Sequence, residues 1–378
     1  SISGGWVPTQ YDWYRNLLPF NNFLKFRASW GRVGNDRLKD ENGNDIRFPY
    51  LTTLGNVSST WGTGLAENRT GSMNLKWEVS TKTNFGIDAR FFDDKVDMTV
   101  DFFHTKTTDI FQRRANIPDE GGLSNVLPYA NIGSMKSWGM DGTLAYTHTF
   151  NKDMALTVRG NFTHAENEVI YWEQSGVNYP YQSNSGVPYK VQRGLIALGL
   201  FKDEDDIKSS PKQTFMDNYR PGDIKYKDVN GDGKIDKDDV VPLNYSAVPF
   251  IQYGFALDWN YKAFRVSILF EGVSKVQYFQ GGRGFYPFLN ESRGNLLEMV
   301  ADPRNRWIPR EYAEVNGIDP ALAENPNAKF PRLTYGENKN NNRASTFWLA
   351  DGRYLRLKNV DISYRFTNNW LKIGRAHV

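Results

Sequence analysis

The chain has 378 residues, room for two or three ordinary domains or one large barrel. Its 46 Lys and Arg nearly balance 43 Asp and Glu, for a net charge of +3, and no clustered basic face points to a nucleic-acid partner. The absence of cysteine excludes disulfide-stapled scaffolds, thiolate metal sites and cysteine nucleophiles, and a mean hydropathy of −0.60 is too polar for a helical membrane protein.

The opening Ser1-Ile2-Ser3-Gly4-Gly5-Trp6 has no initiator Met and no leader-like pattern, so either the protein stays in the cytosol or its natural start is missing. The first alternating segment is 23–30 (FLKFRASW). There Leu24, Phe26, Ala28 and Trp30 share one face, opposite Lys25, Arg27 and Ser29. Segments 83–91 and 96–103 alternate in the same way and flank the polar turn Asp93-Asp94-Lys95, which reads as a hairpin. A second hairpin joins 140–150 to 154–163 through Asn151-Lys152-Asp153. A third joins 251–259 to 264–270. The last alternating segment is 353–366.

Between these pairs, 36–71, 109–139, 167–248 and 274–346 lack sustained alternation and read mainly as loops. Loops of this length do not suit a compact domain. They suit an antiparallel transmembrane β-barrel, with short turns at one end and long extracellular loops at the other. An apolar row would then face lipid and a polar row the lumen. The competing reading is a soluble β-sandwich, which also alternates. The longest uninterrupted apolar run, 194–201 (GLIALGLF), is far short of the roughly 20 residues that a spanning helix needs.

Segment 228–239 matches a calcium loop. Oxygen ligands fall at Asp228, Asn230, Asp232 and Asp236, with Gly233 at the sharp turn and the Lys234 carbonyl at position 7. Asp239 stands at position 12, where Glu is usual, and Asp238 is a substitute for it. The flanks do not read as helices, so a bound Ca²⁺ would be structural. The alternative is an Asx-turn-rich loop without an ion.

Four His residues show no metal-ligand spacing, and no nucleophile or phosphate-loop motif is present. Glu166 with Glu168, and the carboxylates 203–206, read as solvated charges, and 338–342 (NKNNN) as a low-complexity loop tip. Aromatics in the loops are candidates for stacking on a substrate: Trp61, Trp172, Tyr179, Tyr181, Tyr278 and Tyr286. The alternative for these is an interfacial girdle or loop self-packing.

Five stretches, taken in order, resemble SusC/RagA-type TonB-dependent transporters: 24–35 (LKFRASWGRVGN), 74–88 (NLKWEVSTKTNFGID), 222–236 (GDIKYKDVNGDGKID), 249–272 ending in FRVSILFEG, and 304–307 with 331–333 and 348–364 (WLADGRYLRLKNVDISY). The resemblance implies a barrel of about 22 strands around a plug. By alternation this chain supplies roughly eight to ten of them. It implies a Gram-negative outer-membrane protein in contact with lipid, partnered by a SusD-like surface lipoprotein. A TonB complex would reach it through a missing N-terminal region. It also implies active oligosaccharide import and no enzymatic activity. Peptide import, as in RagA-like members, is the alternative within the fold. Outside it stands a soluble or surface glycan-binding β-protein with a dockerin-like calcium loop. Residues 1–372 are thus expected to be a partial barrel. Residues 373–378 (IGRAHV) read as the translation of a sequencing adapter.

Overall fold

A computed structural model of the chain describes residues 1–39, 43–60, 62–117, 126–289 and 296–366. The expected adapter-encoded tail at 373–378 lies outside the described residues. Nine strands form one antiparallel sheet in strict chain order: β1 (Ile2–Trp6), β2 (Asn21–Asn35), β3 (Glu78–Phe91), β4 (Val96–Arg113), β5 (Tyr129–Asn151), β6 (Met154–Tyr171), β7 (Ile251–Tyr261), β8 (Phe264–Ser274) and β9 (Tyr354–Tyr364). The order follows from hairpin closure. A two-residue link such as 262–263 can only return the chain beside the strand just left.

The register sets polarity row by row. One row across the sheet runs Leu24, Ala89, Met98, Leu144, Gly160, Phe255, Phe270, Leu357. Its neighbour, one residue along, begins Lys25, Asp88, Thr99, Thr143, Asn161 and ends Glu271, Arg356. Side chains alternate faces along a strand, so one face of the sheet is apolar and the other polar. Among the described residues this apolar face is left open: Phe85, Phe102, Leu144, Phe255, Val360 and Ile362 are all exposed. A soluble sandwich would bury this face. A barrel wall turns it to lipid.

The polar face carries charge networks instead. Arg27 bridges Asp88 at 2.9 Å and Asp101 at 2.8 Å. Asp258 accepts from Arg159 at 2.6 Å, Arg265 at 3.2 Å and the Ser267 hydroxyl at 2.7 Å.

The two ends of the sheet differ. At one end the links are 92–95, 152–153 and 262–263, and aromatics gather on the apolar face beside them. Phe20 stacks on Phe92 at 5.6 Å, Trp259 stacks on Tyr261 at 6.0 Å, and His148 meets Phe150 at 4.4 Å. Amphipathic rings favour the boundary between lipid and water, so this end reads as an interfacial girdle. At the opposite end lie the long connections 36–77, 172–250 and 275–353.

All four segments expected to be loops contain more structure than alternation showed. Segment 36–71 holds a hairpin of Thr53–Ser59 with Gly62–Arg69. β4 runs on to Arg113, and β5 already begins at Tyr129, inside the segment 109–139. β5 has 23 residues, against the about 9–11 needed to cross a bilayer, so much of it stands above the membrane. There both faces are wet, and strands need no apolar row.

Connections 172–250 and 275–353 fold together into a cap. Its core joins Leu195, Leu200, Ile224, Tyr226 and Ile235 from the first to Val300, Trp307, Phe330 and Trp348 from the second. The NKNNN segment is not an exposed tip but the hinge pin of this cap. Asn340 and Asp223 are both 0% exposed. Asn340 accepts from Gln213 at 2.7 Å and donates to the Ile224 carbonyl at 2.9 Å. Asn341 donates to Asp223 at 2.8 Å and accepts from the Ile224 amide at 2.9 Å. Arg332 supplies Asp223 with its cation at 3.0 Å. Amide side chains serve here because each can donate and accept at once, which satisfies buried backbone groups of a distant segment.

Candidate functional site

The functional surface of a barrel wall is its lumen and its long-loop end, and every candidate residue within the described set falls at that end. The segment 228–239 forms a closed loop. Asp228 accepts from the amides of Gly231 at 2.6 Å and Gly233 at 2.9 Å. Gly231 and Gly233 take φ of +77° and +84°, a left-handed conformation that glycine adopts without cost. Asn230 accepts from the Asp232 amide at 3.1 Å, and Asp232 from the Lys234 amide at 3.0 Å. Asp239 is fully buried and ties both ends of the loop, through the Val229 amide at 2.7 Å and the Asp236 amide at 2.8 Å.

The flanks are extended, with strands at Ile224–Tyr226 and Val241–Ser246, as their sequence implied. Ile235 at position 8 is sealed in the cap core. Lys234 places its ammonium 2.9 Å from Asp236 and 3.7 Å from Asp232. The Asp236 carboxyl is held below the usual carboxylate range, first by the Asp238 amide and then by Lys234. The oxygen donors are of the type a hard cation takes, but here they accept from the loop's own amides and from Lys234. Among the described residues, no three acidic or His side chains converge on one point.

Two candidate aromatics pack on this loop. Tyr179 and Tyr181 stack at 5.4 Å with planes 6° apart. Tyr181 donates to the Asp238 carbonyl at 2.6 Å, and the Tyr179 hydroxyl accepts from Asn230 at 3.1 Å. Trp172 stands elsewhere, tilted against Tyr189 at 6.1 Å over a small cavity. Tyr278 is exposed on a short strand, Gln277–Phe279. Tyr286 packs edge-on against Trp348 at 5.1 Å, and burial pushes its phenol pKa up. Trp61 lies outside the described residues. The five described candidates thus do not form one platform.

Several of the carboxylates that read as solvated charges are instead partnered. Glu166 pairs with Lys275 at 2.8 Å and His164 at 2.9 Å, and Glu168 with Lys136 at 3.0 Å. Asp203 caps the helix Glu204–Lys208, and Asp206 pairs with Lys225 at 2.8 Å.

Sequence reasoning missed a cleft of about 760 Å³ in the cap. It lies between the two connections, over the Trp307 indole. Lys202 and Arg220 stand on its rim with Glu204 and Glu324. Gly222 makes the cleft possible: a β-carbon there would fall 2.3 Å from the Trp307 ring, and its φ is +85°. No local period marks such a site, because its walls come from two distant segments, 202–221 and 306–333.

The sequence profile of the family described as TonB dependent receptor-like, beta-barrel, matches residues 9–378. The chain belongs to the TonB-dependent receptor β-barrel family. It is 26% identical to TonB-dependent receptor P26 of Formosa agariphila, over 96% of this chain and 35% of that protein. It is 22% identical to TonB-dependent receptor SusC of Bacteroides thetaiotaomicron, over 98% of this chain and 34% of that protein. The fold matches a solved structure of the RagAB peptide importer in its open-open state, with a TM-score of 0.69 and 19% identity over 99% of this chain and 36% of that one.

The chain spans about a third of the length of the curated relatives it matches. This segment is a wall of a TonB-dependent receptor β-barrel, a Gram-negative outer-membrane family of transporters rather than enzymes, and it is similar in sequence to SusC and in fold to the RagAB importer. The readings as a soluble sandwich and as a soluble binding protein are overturned by the family match and by the exposed apolar face.

Proposed function

We propose that this chain is part of an active outer-membrane importer of oligosaccharides, energised through TonB and lidded by a SusD-like surface lipoprotein. The observation that carries the reading is the sheet's two faces. Leu144 meets lipid while Thr143, one residue away, faces a charged lumen, and a folded cap overhangs that lumen. A wall of this kind lines a path for a polar solute. The aromatic faces of Trp172, Tyr179 and Tyr181, set among amide and hydroxyl groups, suit sugar rings. The test is calorimetric titration of the full-length transporter with neutral oligosaccharides and with short peptides. Saccharide binding supports the reading, and peptide binding alone removes it.

One observation favours the peptide alternative. The 760 Å³ cleft sets Arg220 and Lys202 beside Glu204 and Glu324, and paired opposite charges suit the two termini of a peptide. A charge-neutralising Arg220→Gln change that weakens peptide binding would bear it out.

For the loop 228–239 the proposal is a structural Ca²⁺ held by Asp228, Asn230, Asp232, Asp236, Asp239 and the Lys234 carbonyl. Such an ion would neutralise the clustered carboxylates and stiffen the loop. Lys234 partly fills that role in this structure, so its ammonium would have to leave the Asp236 carboxylate. Calcium titration against a Asp228→Ala variant tests it: a loop stabilised equally in both, or in neither, excludes the site.

A further inference from the structure

A second recess sits where connection 172–250 folds back over the top of β6. It encloses about 290 Å³, near the lower end of ligand pockets and suited to one sugar ring. Trp172 and Tyr189 give it aromatic walls, and Asn184 adds an amide. None of its lining residues is acidic, and two are cations, Lys190 and Arg193.

Arg193 is half-buried and unpaired with any carboxylate among the described residues. Burial alone shifts its pKa, and it shifts it down. Its guanidinium is anchored by the carbonyls of Tyr181 at 3.1 Å and Ser183 at 2.5 Å, two partners for five N–H donors. A carbonyl orients a guanidinium but does not neutralise it. A desolvated cation without a counter-charge is costly, so one held this firmly is poised for an anion. Lys190 adds to the case. It holds φ at +55°, a region that lysine rarely adopts, and its ammonium lies 5.5 Å from the Tyr189 ring centroid. Backbone strain, two cations with no carboxylate partner among the described residues and two aromatic planes meet at one recess.

We infer that this recess binds a sugar unit bearing an anionic group, a carboxylate or a sulfate ester, its ring against Trp172 and Tyr189 and its charge on Arg193 and Lys190. The inference rests on the oligosaccharide reading above and narrows its substrate class. The full-length transporter in detergent is titrated with tetragalacturonate, with its carboxyl-reduced neutral counterpart, and with a sulfated galactan tetrasaccharide.

At least one anionic probe is expected to bind tenfold or more tightly than the neutral one, with an advantage that shrinks in salt; which one identifies the group. Arg193→Gln is expected to erase most of that advantage and leave neutral binding alone. Arg193→Lys should restore part of it, and Lys190→Gln should cost about threefold. The Lys190 variant keeps the test open if Arg193→Gln disturbs the Tyr181 and Ser183 carbonyls, which its unfolding curve would show. Equal binding of all three saccharides, unaffected by either Gln variant, overturns the anionic site but leaves oligosaccharide import standing. Binding of no saccharide, with short peptides bound, overturns both.

Discussion

In the wall of this receptor Leu144 is 52% exposed; in the cap Leu195 is 1% exposed. Both are ordinary leucines in well-paired backbone. They differ in solvent. The wall pairs its backbone strand to strand through its ladder and turns its apolar row outward, where lipid is the partner. The cap stands in water and must hide its apolar residues, so it needs a core and a buried polar network to hold two distant connections together. One chain therefore follows two opposite burial rules, divided near the tops of β4, β5 and β6.

The largest expected break in this comparison comes from Asp223→Ala. It strands Arg332 and the Asn338 and Asn341 amides inside the cap. Removing one partner of a buried charge pair costs about 3–5 kcal/mol. Limited proteolysis of the full-length protein is expected to cut the cap readily, while heat-modifiable gel migration shows the barrel intact.

The next concerns the wall alone. Leu144→Arg on the lipid row is expected to cost about 2–4 kcal/mol in folding into vesicles. Thr143→Arg, one residue away on the lumenal row, is expected to cost far less.

These contrasts also show what the sequence could reveal. Leu24, Phe26, Ala28 and Trp30, or Ile251 through Trp259, announce the wall because a face set against lipid demands a period of two. The upper half of β5, with Gly133, Ser134, Lys136 and Ser137, announces nothing, because water on both faces makes no such demand. β1 was equally silent, with only Ile2 and Trp6 around Gly4 and Gly5. The cap core was illegible for a different reason. Leu195 and Trp348 meet only through tertiary folding, and Gln213 finds Asn340 across 127 residues. The Asn-rich run looked like a loop tip because composition records polarity, not partners. The calcium-type loop was legible because its ligand spacing is local. The cleft over Trp307 was not, since 202–221 and 306–333 wall it together; the recess at Arg193 is walled within 169–193, but its residues follow no ligand spacing that a sequence would show.

Smaller effects sharpen the cap side. Asp236 is held low by the Asp238 amide first and Lys234 second. A depressed carboxylate stabilises the fold above its unfolded pKa, and that stability fades as pH falls through the lowered folded value. The loop is therefore expected to keep full amide protection at Asp238 from neutral pH down to about 4, and to lose it only below that. Hydrogen exchange across that range checks it. Last, Tyr181→Phe removes one hydrogen bond to the Asp238 carbonyl. It is expected to lower cap stability by about 0.5–1.5 kcal/mol without touching the wall.

The division into wall and cap is tested most directly by labelling intact cells. Because this chain carries no cysteine, single cysteines can be placed by Glu311→Cys in the cap and Lys152→Cys in the short turn between β5 and β6. A membrane-impermeant maleimide is expected to label the cap position on intact cells, and the turn position only after the outer membrane is opened. Labelling of Lys152→Cys on intact cells, with Glu311→Cys protected, would contradict the account.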